Sequence, residues 1–288
     1  MPLQLHQFIN LFALLLLGSW VASIHLAGID ITIILLYTLC LEHLFLYLNP
    51  RRGFYLSYAS LSTAIGVIVL MYTPHLWIYL LVIGLGLAQK HFLLLDQRHL
   101  FNPSNFALIM ALLFFYHEAH IISGQFGDAL WLSLLVSFLA IIILIRSKRW
   151  VIPLAFILSY FLLEYVLVVR YDPVMIFEDI YHRLYSVTFV LFIYFMLTDP
   201  LVTPSLWRGQ LLFAFGVALL ATLLDRFYGF RVQHLFMSVF FISPLVTLCR
   251  AKFDGLTRVK LLGIILPVTV AILLTIEMQA PYYFEMNG

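Results

Sequence analysis

The sequence predicts an all-α, polytopic membrane protein, a single integral-membrane domain over residues 1–288 with about ten or eleven transmembrane helices. Hydrophobic residues make up 64% of the chain and charged residues only 10%, whereas a soluble domain carries about 25% charged residues. The apolar residues fall into runs of about 20, the length that crosses a hydrocarbon core of about 30 Å. Membrane lipid is therefore expected to surround most of the chain.

Turn residues divide the chain into eleven apolar runs. Glycine and proline at Gly28, Pro74, Pro103 and Pro200 are among the residues that separate them. The predicted helices cover approximately residues 8–26, 29–49, 54–73, 75–94, 105–121, 127–145, 150–169, 180–198, 209–225, 232–249 and 260–278. In the fifth run only about 11 apolar residues precede His117, too few to span a membrane alone. A short or interrupted hydrophobic segment points to a broken helix at a binding site.

The charges of the loops orient the bundle. With a cytoplasmic N-terminus, only Arg170, Arg183, Arg226 and Arg231 lie on the outer side, so that 12 of the 16 lysines and arginines are inside. This asymmetry follows the positive-inside rule. We therefore predict a multi-pass protein of the bacterial inner membrane with its N-terminus in the cytoplasm and its C-terminus outside.

Several functional classes are disfavoured. A net charge of +2 is too small to indicate nucleic-acid binding. Cys40 and Cys249 lie in apolar runs without a CxxC motif, which predicts neither a disulfide framework nor a metal cluster. Residues 8–23 lack the features of a cleaved signal peptide and are expected to form a retained helix. The loops are too short for a soluble catalytic domain, so any chemistry must occur inside the bundle or on a partner subunit.

A first polar, proline-bearing segment joins the fourth and fifth runs. We name residues 98–105, RHLFNPSN, the Asn-Pro loop; its polar residues include His99, Asn102, Ser104 and Asn105. Irregular backbone at membrane depth persists only where protein or water satisfies it, which favours a functional role. An ordinary cytoplasmic loop that ends a helix is the alternative.

A second segment of the same form closes the eighth run. We name residues 196–205, MLTDPLVTPS, the Asp-Pro loop; it contains Thr198 and Asp199. A carboxylate after a long apolar run is costly and usually has a partner, although a simple helix stop is the alternative. Both loops are predicted on the inner side. We expect them to form one pocket, in which hydroxyl groups cap helices and free amides favour an anionic or carbonyl-bearing ligand.

The two loops together resemble the NqrB/RnfD family, membrane subunits of sodium- or proton-linked electron-transport complexes in bacteria. FNPS at residues 101–104 and FMLTDP at residues 195–200 carry the resemblance, which covers about residues 50–250. The FNPSN variant is nearer to unattached RnfD-like proteins, including those in enediyne gene clusters, than to subunits of the full pumps. Other redox or membrane subunits are the partners that this resemblance implies.

The resemblance implies a flavin, FMN or riboflavin, on the cytoplasmic side. Its expected contacts are Asn102 and Asp199, with His99, Ser104, Asn105 and Thr198 around them. An asparagine can both donate to and accept from the polar edge of the isoalloxazine ring, and a carboxylate can accept from a ribityl hydroxyl.

Full members of the family hold FMN covalently on the threonine of an S-G-A-T sequence. Here Ser123-Gly124 is followed by no threonine. The resemblance therefore implies a flavin that is bound non-covalently.

Acidic residues within the runs indicate a second kind of site. Glu164 in the seventh run and Glu42 in the second are predicted to mark an ion or proton path; alternatively, Glu164 reaches the outer interface or pairs with Arg170. His117 and His120 would share a helix face, but without a third ligand at a diagnostic spacing we predict a polar helix end and no metal site.

Two function classes remain open. In the first, the protein is an electron-transport subunit that binds a flavin, possesses no catalytic activity alone, and couples electron flow to ion movement. In the second, it is a non-redox channel or secondary transporter for a small polar solute, built on the same fold. The two retained loops favour the first class, and the missing threonine favours the second. A scaffold for a partner enzyme is a third interpretation.

Overall fold

The computed structural model describes residues 3–21, 24–48, 57–122, 130–171, 175–250 and 258–285. Within these ranges the chain forms twelve α-helices joined by short connections. They are α1 (Leu3–Val21), α2 (Gly28–Leu48), α3 (Tyr58–Leu70), α4 (Leu76–Phe92), α5 (Pro103–Phe114), α6 (Leu130–Ser147), α7 (Val151–Glu164), α8 (Phe177–His182), α9 (Val187–Leu191), α10 (Trp207–Tyr228), α11 (Gln233–Arg250) and α12 (Arg258–Glu285).

These helices confirm the predicted all-α membrane bundle. Each of the eleven predicted runs corresponds to one helix, and α8 is a short additional helix before α9. In the described part of the chain, five helical segments are long and apolar enough to cross a membrane: Gly28–Leu48, Leu130–Ser147, Val151–Val169, Trp207–Tyr228 and Arg258–Thr275. The shorter apolar helices, α3, α4, α5, α9 and α11, pack among them. The chain is therefore a multi-pass membrane protein.

Large apolar side chains cover the outer faces of the long helices. Leu158 on α7, Leu212 on α10 and Phe138 on α6 are each at least 66% exposed. A soluble protein does not expose apolar surface on this scale without a partner. These faces are where lipid chains are expected to lie, whereas Phe156 and Val217 on the same helices are fully buried.

Helix α5 lies unusually close to α4 at the Asn-Pro loop. A Cβ atom added at Gly86 would lie 2.6 Å from the carbonyl oxygen of Pro103 and 3.2 Å from the Cβ of Ala107. On the facing helix α3, a Cβ at Gly66 would lie 3.1 Å from the hydroxyl of Ser104. The two glycines thus allow the start of α5 to fit between α3 and α4.

Two short antiparallel pairs of strands lie at the helix ends. Strand β2 (Leu94–Leu95) pairs with β3 (Arg98–His99), which forms the start of the Asn-Pro loop, and the hairpin turns through Asp96 and Gln97, both at positive φ. This hairpin fixes the orientation of His99 within the Asn-Pro loop.

The other pair lies at the opposite end of α5. Strand β1 (Met71–Tyr72) pairs with β4 (His120–Ile121), and α5 ends at Phe114. The predicted end of the fifth helix at residue 121 was therefore too late, because residues after Phe114 turn back to hydrogen-bond the end of α3. His117 and His120 consequently do not share a helix face. Among the described residues, no group of three His, Cys, Asp or Glu side chains is placed to hold a metal ion.

Two π-helical turns interrupt the regular helices. One, Tyr165–Val169, directly follows Glu164, and the other, Phe192–Met196, leads into Thr198 and Asp199. Such turns are rare in proteins and are often found at functional sites. Both lie next to a carboxylate that the sequence singles out.

Candidate functional site

The Asn-Pro and Asp-Pro loops meet through the carboxylate of Asp199. The side-chain amide of Asn102 donates a hydrogen bond to Asp199 Oδ2 at 3.0 Å, and the Nε2 atom of His99 lies 3.3 Å from the same oxygen. The other oxygen, Oδ1, accepts the backbone N–H of Leu201 at 2.9 Å. The structure thus brings together three residues that the sequence assigns to one pocket, across about a hundred residues of chain.

Asn102 also begins helix α5. Its Oδ1 atom accepts the backbone N–H of Asn105 at 3.1 Å, and Pro103 occupies the first helical position, where a missing N–H costs little. The cap is therefore an amide and not one of the hydroxyl groups that the sequence suggested. Leu206 precedes α10, and its apolar side chain cannot cap that helix.

The charge of Asp199 is stabilised by these donors. Burial alone would raise the pKa of this carboxyl group, but the hydrogen bond and charge of His99, the N–H of Leu201 and the amide of Asn102 together hold the pKa below its ordinary value. Asp199 is therefore a carboxylate at neutral pH, and its remaining lone pairs can accept further hydrogen bonds.

Arg149, between α6 and α7, fixes the backbone of the Asp-Pro loop. Its guanidinium donates to the carbonyl oxygen of Pro204 and, at 3.4 Å, to that of Pro200. The hydroxyl of Thr203 donates to the carbonyl oxygen of Asp199 at 2.7 Å. Because several groups hold this loop, the position of the Asp199 carboxylate does not depend on a ligand.

A cavity of about 630 Å³ lies beside the joined loops, between α1, α3, α6 and α9. This volume is within the range of about 300–1,000 Å³ found for small-molecule and cofactor sites. Five of the six residues that the sequence proposes as flavin contacts line it: His99, Asn102, Ser104, Thr198 and Asp199.

Asn105, the sixth residue, does not line the cavity and lies behind its wall. Its side-chain amide donates to the carbonyl oxygen of Phe236 on α11 at 3.1 Å, and the residue is almost completely buried. It therefore holds the start of α5 against α11.

The hydroxyl groups of the cavity wall present oxygen lone pairs to the cavity. Ser62 and Thr63 on α3 donate their protons to backbone carbonyls one turn earlier, at 2.9 and 3.0 Å. Ser104 donates to the carbonyl oxygen of Thr63 at 3.3 Å, and Thr198 donates to that of Tyr194 at 2.6 Å. These hydroxyl groups already donate their protons to carbonyl oxygens, and the Asp199 carboxylate lies beside them. The wall is therefore suited to a ligand that supplies hydrogen-bond donors.

Glu42 is part of a buried ion-paired group beside the cavity. Its carboxylate oxygens lie 2.8 Å from Lys90 Nζ and 2.9 Å from His91 Nε2, and Lys90 also donates to the hydroxyl of Ser60 at 2.7 Å. Lys90 lines the cavity, so this group forms part of its wall. The sequence singled out Glu42 but did not reveal that Lys90 and His91 are its partners.

Glu164 belongs to a different polar group, which lies at the C-terminal ends of α7 and α10, away from the cavity. It is fully buried and lies near Asp225 on α10, not at an interface with solvent. We define the Glu164 cluster as Tyr160, Glu164, Arg183, Asp225 and His234. Sequence reasoning missed this cluster because each of the last three residues, taken alone, is an ordinary polar helix end.

The comparison with protein families agrees with the geometry of the loops. A model of the NQR2, RnfD, RnfE family matches residues 85–253, more than half of the 288 residues, and this range includes both loops. No curated protein matches the chain. The match confirms the resemblance predicted from the two motifs: the chain belongs to the NQR2, RnfD, RnfE family.

Proposed function

We propose that this protein is a membrane subunit of an electron-transport system and holds a flavin, FMN or riboflavin, non-covalently in the cavity beside Asn102 and Asp199. The observation that carries the proposal is the 3.0 Å hydrogen bond that joins the two family motifs at the cavity wall. We further propose that this end of the bundle faces the cytoplasm of a bacterial inner membrane.

The residues of the cavity fit a flavin in size and in chemistry. The wall combines apolar surface from Leu11, Ile143 and Phe195 for the ring system with the polar groups of the two loops. Asn102 has an N–H and a lone pair left for the polar edge of the ring after its bonds to Asp199 and Asn105.

The oxygen lone pairs of Ser62, Thr63, Ser104 and Thr198 suit the hydroxyl groups of a ribityl chain. When bound, the flavin supplies the one- and two-electron chemistry of the system. The chain itself supplies position, polarity and exclusion of water, and other redox or membrane subunits would provide the electron donor and acceptor.

The second part of the proposal is ion movement. We assign Glu42 and Glu164 to the path of the ion. Both are fully buried acids within helices, where an ionisable group is costly and usually functional. Their surroundings differ, because Glu42 contacts two basic side chains whereas Glu164 has no hydrogen-bonded basic partner among the residues that the structure describes.

An absorbance and fluorescence spectrum of the detergent-purified protein, recorded before and after acid precipitation, tests the flavin directly. We expect a flavin spectrum whose chromophore appears in the supernatant after precipitation. The variant Asp199→Ala should lose most of the flavin while remaining folded. The control Glu178→Gln changes an exposed acid of α8 outside the cavity and should retain it.

Two results would contradict the proposal in different ways. Flavin that stays with the pellet would mean a covalent attachment at another residue. A colourless protein, produced in cells with ample flavin, would leave the alternative function: a channel or transporter whose cavity accepts hydrogen bonds from a small polar solute. That alternative would then be tested by uptake of the solute into vesicles.

A further inference from the structure

Glu164 is a buried acid without hydrogen-bond partners in the described part of the chain. Its side chain is fully inaccessible, and neither carboxylate oxygen has a hydrogen-bond partner of good geometry among the described residues. An ionised carboxylate in such a position would lose its hydration without compensation, at a cost of many kcal/mol. A neutral, protonated side chain avoids most of that cost.

The donors around Glu164 are engaged by its neighbour Asp225. Asp225 Oδ2 accepts from the hydroxyl of Tyr160 at 3.1 Å and lies 3.3 Å from Arg183 Nη1. Asp225 Oδ1 accepts from the backbone N–H of Arg231 at 3.0 Å and lies 2.6 Å from His234 Nδ1. Asp225 is therefore the hydrogen-bonded acid of the pair, and these four groups are directed at Asp225 and not at Glu164.

The other charged groups nearby are directed elsewhere. The guanidinium of Arg231 donates to the hydroxyl of Tyr116 at 3.2 Å, and that of Arg226 lies over the ring of Tyr171. Arg183 also donates to the hydroxyl of Tyr160 and stacks on the ring of Phe230. The positive charge of Arg183 thus balances the negative charge of Asp225. An ionised Glu164 would add a second negative charge without a counter-charge.

His234 does not provide the missing positive charge. Its Nδ1 atom can share a proton with Asp225, but its Nε2 atom is buried with no partner among the described residues. A doubly protonated ring would place a second N–H there without an acceptor, which is unfavourable in a dry interior. Protonation of Glu164 therefore removes the excess negative charge at the lowest cost in free energy.

From these contacts we infer that the Glu164 cluster is a proton-binding site in which Glu164 carries one exchangeable proton. The buried hydroxyl of Thr222 on α10 lies near Glu164, and because a hydroxyl can donate or accept, it accepts the carboxylic O–H when Glu164 is protonated. Arg183, whose side chain is 10% exposed, connects the cluster to the surface of the bundle.

This inference deepens the ion-movement part of the proposed function by naming the ion and its ligands. It does not require a flavin in the cavity. From Trp207 to Asp225 the helix α10 rises by about 27 Å, at 1.5 Å per residue over 18 residues. The proton site and the loop cavity are therefore at opposite ends of the bundle and can be tested separately.

Infrared spectroscopy of the full-length protein in detergent at pH 7 tests the inference, since a glutamate in water is ionised at that pH. We expect a C=O band of a protonated carboxyl group that shifts in D₂O and is absent from Glu164→Gln. The variant Glu42→Gln is the matched control, because Glu42 is equally buried but contacts Lys90 and His91; it should leave the band unchanged.

Four results would overturn the inference. The band is absent from the wild type; it persists in Glu164→Gln; it fails to shift in D₂O, so that the proton does not exchange; or added Na⁺ removes it, so that a metal cation occupies the site. Glutamine has the shape of a protonated glutamate, so a Glu164→Gln protein that fails to fold would also contradict a neutral Glu164. Flavin content affects none of these results.

Discussion

The central residue of the cavity beside the two loops is Asp199, whose carboxylate joins two segments of the chain. It accepts an amide N–H from Asn102 and a backbone N–H from Leu201, and it lies beside His99. Hydrogen bonds to a charged group contribute about 1.5–3 kcal/mol each. The junction of the two loops is therefore most stable while Asp199 is ionised and its donors are present.

The variant Asp199→Asn should be less stable than the wild type by about 1.5–3 kcal/mol at neutral pH. Because the pKa of Asp199 is lower in the folded protein than in the unfolded chain, its stabilisation is full above the ordinary aspartate pKa of about 3.9 and declines as the pH falls below it. Thermal unfolding at several pH values should show the Tm difference between the two proteins shrinking below about pH 4.

The control for this measurement is Glu178→Gln, which replaces an exposed acid on α8 and should have nearly the wild-type Tm at each pH. A Tm difference for Asp199→Asn that does not change with pH would contradict the role assigned to the charge of Asp199.

At the scale of elements, the positions of the helices could be predicted and their local distortions could not. Hydropathy reports which segments are apolar, so each predicted run has its helix. It carries no information on hydrogen-bond register, and therefore gave no sign of the π-helical turns Tyr165–Val169 and Phe192–Met196. The shortness of α5 was indicated by the apolar run before His117, which is too short to cross a membrane, although the predicted end at residue 121 was too late.

The contact between α4 and α5 should depend on Gly86. In Gly86→Ala the new methyl group would clash with the backbone of Pro103, and such overpacking costs about 1–3 kcal/mol. Because Pro103 follows Asn102, the shift should also weaken flavin retention. Gly28→Ala, at the open start of α2 with nothing within 4 Å of the new atom, is the matched control and should be neutral or slightly stabilising. Equal Tm values for the two variants would contradict the close packing.

At the scale of the whole molecule, the polar residues are divided between two ends of an otherwise apolar bundle. Asn102 and Asp199 could be paired from the sequence because each lies in a recognisable proline-bearing loop. Tyr160, Arg183 and Asp225 could not, because they come from three separate segments and no motif links them. Their association depends on how α7 packs against α10, which a single sequence does not specify.

The central claim is that the two loops hold one flavin together. The most direct test is a double-mutant cycle on flavin affinity, with riboflavin and FMN each titrated into flavin-depleted wild type, Asn102→Ala, Asp199→Ala and the double variant. Since Asn102 and Asp199 are in direct contact, residues of this kind couple by about 0.5–3 kcal/mol. We predict that each single variant binds flavin more weakly than the wild type. The loss of binding free energy in the double variant should be clearly smaller than the sum of the two single losses. Additive losses, or wild-type affinity in either single variant, would contradict a shared site.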